Sequence, residues 1–79
     1  MSTSDLSPVG LLGQLTVATR GDDGPGEAVF RIRGGTETFL AHSPEPLMRG
    51  QEIVCVRELG ARVVEVAPWG ERLDSGLRL

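Results

Sequence analysis

Glu27-Ala28-Val29-Phe30-Arg31-Ile32-Arg33, followed at once by Gly34-Gly35 and by residues 36–42, is the stretch that decides the fold. Side chains of an extended strand point alternately to its two faces, so Ala28, Phe30 and Ile32 share one apolar face while Glu27, Val29, Arg31 and Arg33 share a partly charged one. The two glycines tolerate the positive φ angles of a tight hairpin turn, and residues 36–42 are expected to return antiparallel. In that return strand Phe39 and Ala41 oppose Thr38 and Leu40, and Phe39 is expected in the core.

Working outward, strand and turn signals continue in both directions. Residues 11–20 contain the alternation Leu15-Thr16-Val17-Ala18 and end in Gly21-Asp22-Asp23-Gly24-Pro25-Gly26, a dense run of turn formers. Residues 52–59 carry Ile53-Val54-Cys55-Val56, and residues 61–67 carry Val63, Val64 and Val66, with Gly60 marking a turn between them. These last two segments are nearly continuous in apolar character, so each is expected to have both faces covered for part of its length, as in a closed barrel. Pro44 and Pro46 interrupt any ladder, and residues 45–49 are the one place where a short helical turn is expected. Eleven glycines and five prolines leave no helix-period run of adequate length. The expected fold is therefore all-β, a five-stranded OB-type β-barrel over residues 11–69, with flexible termini at residues 1–10 and 70–79.

Seventy-nine residues suit one domain, since a chain of this size buries only about 60% of its unfolded surface around a single core. A single cysteine, Cys55, excludes an internal disulfide and a thiolate zinc cluster, and its apolar neighbours mark it as a small buried hydrophobe. The net charge of −3 opposes long-range attraction to a phosphate backbone, so nucleic acid is disfavoured as a partner. No basic run followed by an apolar run opens the chain, and no stretch approaches the roughly 20 apolar residues of a membrane helix. A cytoplasmic protein is expected, without direct membrane insertion.

Candidate chemistry is sparse. His42 is the sole histidine, at a strand end, with no catalytic motif around it. Asp22-Asp23 lacks the ligand spacing of a calcium loop and reads as a solvated turn. The glycine pairs are not followed by a helix, and with no lysine in the chain a Walker-type phosphate loop is excluded. No catalytic residue, metal site or cofactor is assigned. For binding, Arg31 and Arg33 sit on the outward face of the second strand with Thr36, Thr38 and Leu40 on the third, the pair of strands that OB barrels use for oligonucleotides and oligosaccharides. Trp69, after Pro68, either caps the barrel or stands exposed as an interface anchor. The partner-binding candidates are Arg31, Arg33, Thr38 and Trp69.

The segments Gly13-Gln14-Leu15-Thr16-Val17-Ala18, Gly26-Glu27-Ala28-Val29-Phe30-Arg31-Ile32-Arg33-Gly34, Arg49-Gly50-Gln51-Glu52-Ile53-Val54-Cys55-Val56 and Leu59-Gly60-Ala61-Arg62-Val63-Val64-Glu65-Val66-Ala67-Pro68 together resemble the C-terminal OB-fold domain of NfeD-like proteins. Gly50, Val54, Val56, Gly60 and Val66 occupy places comparable to that family's pattern. The resemblance implies a non-catalytic appendage for protein interactions, associated with stomatin- or flotillin-like membrane-scaffold proteins. It implies peripheral membrane association through such a partner, and a homo-oligomer is a further expectation. The sequence departs from the pattern in having neither membrane helices nor a protease domain, so a stand-alone short form is expected. The competing expectation is a single-stranded nucleic-acid or other polyanion binder using the face of strands two and three.

Overall fold

The computed structural model describes residues 7–32 and 34–70. Five strands form: β1 Leu12–Val17, β2 Gly26–Ile32, β3 Gly35–His42, β4 Glu52–Gly60 and β5 Val63–Pro68. They close into a barrel in the order β1-β2-β3-β5-β4, with β4 returning to β1. Only β3 and β5 run parallel. This is the five-stranded OB-type arrangement, and the expectation of an all-β closed barrel holds.

The alternation in β2 does what its period requires: Ala28 and Phe30 are buried, and Glu27 and Arg31 are exposed. Gly13 of β1 lies opposite Phe30, and the ring packs directly over it. A Cβ at Gly13 would sit 2.6 Å from the Val29 carbonyl oxygen and 2.7 Å from the Phe30 ring, so the close approach of β1 to this aromatic demands glycine. Phe30 meets Phe39 edge to face, with centroids 5.6 Å apart and ring planes at 86°, an arrangement that matches positive ring edge to negative ring face. Leu15, Ile53, Cys55, Val64 and Val66 complete the centre of the core. Phe39 is buried and Leu40 faces solvent, which fixes the phase of β3.

Two local expectations are corrected. Residues 45–49 form no helical turn; the one described helical turn is the 3-10 segment Gly21–Asp23. The reason is a buried hydroxyl relay. The Leu47 N–H donates to Thr19 Oγ1 (2.8 Å), the Thr19 hydroxyl reaches Ser43 Oγ (2.7 Å), and Ser43 donates to the Glu45 carbonyl (2.6 Å). With the Thr19 N–H bonded to the Leu47 carbonyl as well, the backbone groups a helical turn would use are engaged across the barrel's end. The β4–β5 turn is not at Gly60, which is still in β4, but at Ala61 and Arg62, where Arg62 takes φ 57°. The β2–β3 hairpin also tightens differently: Gly34 carries the positive φ (82°), whereas Gly35 already pairs with Ile32.

Packing begins upstream of Leu11. Pro8 is buried, Leu11 N–H bonds the Pro8 carbonyl, and Gly10 N–H bonds the Cys55 carbonyl (2.8 Å), so residues 8–10 lie along β4. Residues 1–6 and 71–79, and with them most of both expected flexible termini, lie outside the described residues. No described helix is long and apolar enough to cross a membrane.

Candidate functional site

Strand pairing groups the described outward side chains into two faces that share β1. On the face of β1, β2 and β3, cross-strand pairs run Gln14–Val29–Thr38 and Arg31–Thr36. Arg31, Thr36 and Thr38 are all exposed there. Arg31 and Thr36 line a shallow groove of about 560 Å³ together with Leu12, Gln14 and Glu52. Thr38 sits outside that groove, its carbonyl accepting from Arg62 Nη1 (3.3 Å). Arg33 lies outside the described residues. Phe30 and Phe39 point into the core, so no described aromatic ring of this face is available for base stacking. The structure thus brings Arg31 beside Thr36 and a carboxylate, and leaves Thr38 and Trp69 elsewhere.

The face of β1, β4 and β5 has a different chemistry. Leu12 pairs with Val54, and Val54 pairs with Ala67, giving one apolar row across three strands. Beside it, Val56 is the extra residue of a bulge, with Cys55 opposite Val66 and Arg57 opposite Glu65. A bulge re-aims side chains, and Val56 is left 44% exposed. Trp69, 45% exposed, extends the β4–β5 ladder by one step through its N–H to the Glu52 carbonyl (3.0 Å). It stands out from the barrel's surface rather than sealing its end. The row runs into a groove of about 310 Å³ between β5 and the 43–47 loop, lined by Pro44, Glu45, Leu47, Val56, Ala67 and Pro68 among others.

Leu12, Val54, Val56 and Ala67 were not among the sequence candidates. Their adjacency depends on the seam where β4 meets β1, some 40 residues away in sequence. The bulge at Val56 leaves no signature in a run of β-branched residues.

The groups with chemical potential are dispersed. Cys55 is a free thiol at 1% exposure, and burial pushes its pKa up from 9.0, against the Arg57 backbone contact and with help from the nearby Glu58 carboxylate. A thiol so placed is less nucleophilic at neutral pH. His42 is half-buried at the end of β3, and Asp22-Asp23 occupy the exposed 3-10 turn. Among the described residues, no three His, Cys, Asp or Glu side chains are grouped as a metal site would need.

No curated protein matches the chain. Among solved structures, it is similar to the soluble domain of the NfeD protein YuaF from Bacillus subtilis, determined in solution, with 31% identity and a TM-score of 0.62 over 75% of this chain and 70% of that one. The family model for the NfeD C-terminal domain matches residues 12–67, spanning β1 to all but the last residue of β5, and the chain belongs to that family.

Proposed function

We propose that this domain is a non-catalytic protein-interaction module that joins stomatin- or flotillin-type membrane-scaffold assemblies from the cytoplasmic side. The observation that carries the reading is the apolar outer row of Leu12, Val54 and Ala67, with Val56 and Trp69 beside it, on a barrel whose core is already complete. Apolar side chains grouped on the outside of a closed barrel contribute little to folding and mark a surface that another molecule covers. Membership of the NfeD C-terminal domain family supports the choice of a scaffold partner. The test is retention of the purified domain by a stomatin-type protein of the same genome reconstituted in liposomes. Retention above protein-free liposomes is the expected result, and equal retention on both would refute it.

A further inference from the structure

We propose that the row of Leu12, Val54 and Ala67, with the groove beside Val56, takes a short segment of a partner protein that carries apolar side chains next to an arginine or lysine. The inference deepens the interaction reading above and rests on it. Three observations choose this occupant. The first is size. Leu12, Val56 and Trp69 are each a little under half exposed, which offers on the order of 300 Å² of apolar surface, well below the roughly 800 Å² per partner of a standard interface between folded proteins. A groove of about 310 Å³ accommodates a few side chains, as a peptide segment would present, and not a second barrel.

The second is charge. Glu45 stands in the groove wall, whereas Glu52, beside the Trp69 backbone, shares the neighbouring groove with Leu12 and Arg31. Glu45 has no ion-pair partner among the described residues, and the nearby cation Arg57 is already held by Glu65 (2.8 Å). A segment carrying a cation beside its apolar residues meets the Glu45 carboxylate, while an acidic segment meets repulsion there. The net charge of −3 acts in the same direction, and it opposes a second copy of this chain. The third is rigidity. The groove's loop wall is pinned by the Thr19–Ser43 relay, so the site is formed before any ligand arrives.

The test uses two synthetic nine-residue peptides, one alternating leucine with arginine and one alternating leucine with glutamate, titrated into the isotope-labelled protein by NMR. The leucine–arginine peptide is expected to shift the resonances of Val54, Val56, Ala67 and the Trp69 indole, and to bind at least tenfold tighter than its acidic counterpart. Val56→Asn and Glu45→Lys, both at solvent-facing side chains, are each expected to weaken it severalfold while keeping the native spectrum. Equal binding of the two peptides, shifts centred on Arg31, no binding at all, or a concentration-dependent dimer that buries Val56 would each overturn the proposal. So would binding to plain anionic vesicles that Val56→Asn abolishes. If the scaffold protein retains Val56→Asn and Glu45→Lys as well as the parent, this site is wrong and the interaction reading stands. If it fails to retain the parent, the interaction reading itself is wrong.

Discussion

Alkaline destabilisation of this domain should be the work of one sulfur atom. The chain has no tyrosine, and all eight of its basic residues are arginine, so above the range of the terminal amine the sole side chain to titrate below about pH 12 is Cys55. Burial among Ile53, Val64 and Val66 raises its pKa above 9.0 in the folded state, while the unfolded chain returns the thiol to its ordinary value. The sign follows from proton counting. Above the ordinary value the unfolded state has lost a proton that the folded state keeps, so stability is full below it and falls as pH rises towards the folded value. For one proton the limiting slope is about 1.4 kcal/mol per pH unit, or roughly 5–10 °C of melting temperature per unit for a domain this small. Urea unfolding between pH 8 and 11 under reducing conditions measures it. Cys55→Ala should be less stable at neutral pH by about 1 kcal/mol for the lost sulfur contacts, yet nearly flat across the alkaline range. A parent protein without the slope, or a Cys55→Ala variant that keeps it, would refute the reasoning.

Three further outcomes are expected. Thr19→Val preserves shape but leaves the buried Leu47 N–H without its acceptor, and should cost about 1–3 kcal/mol in urea unfolding; Thr19→Ser should recover most of it. Gly13→Ala puts a methyl group against the Val29 carbonyl, which cannot move aside without parting β1 from β2, and should cost about 2–3 kcal/mol with a lost upfield shift of the Gly13 resonances over Phe30. At Arg62, where φ is 57°, alanine keeps the backbone strain and loses the side chain's contacts, whereas glycine loses the contacts and relieves the strain. Arg62→Gly should therefore melt higher than Arg62→Ala, by an amount equivalent to about 1 kcal/mol.

The sequence's strand alternation carried the fold a long way because period two is a local property. Spacing alone places Ala28 and Phe30 inward and Arg31 outward, and each lies so. What escaped was set by partners distant in sequence. The 43–51 connection lacks a helical turn at 45–49 because Thr19 and Ser43 meet, 24 residues apart, and neither hydroxyl announces that meeting. Trp69 could have been lid or anchor until the ladder carried it past Pro68 to the outside. The apolar row was hidden for the same reason: Leu12, Val54 and Ala67 look like three unrelated core residues until the barrel closes and places all three on its outer side.

Closure also decides which mode of recognition is open to this domain. A binding module built from strands can add a partner's strand to a free edge or use the side chains on a sheet face. Here β1 to β5 form a closed ring, and at its one parallel seam β3 and β5 share the pairs Leu40–Val63, Ala41–Val64 and His42–Glu65. Upstream of that seam the edge of β3 would be available to an incoming strand. Arg62 covers it: its Nη1 donates to the Thr38 carbonyl, its Nη2 pairs with Glu37 at 3.0 Å, and its guanidinium lies 5.8 Å over the Phe39 ring. An arginine held over a strand edge by three contacts is an obstacle to edge pairing. This gives a reason for the left-handed backbone at Arg62, the sole non-glycine described with positive φ, since that turn is what brings the side chain back across β3. With the edge occupied, the recognition proposed above falls to a face, and the apolar row of Leu12, Val54 and Ala67 is the described surface that suits it.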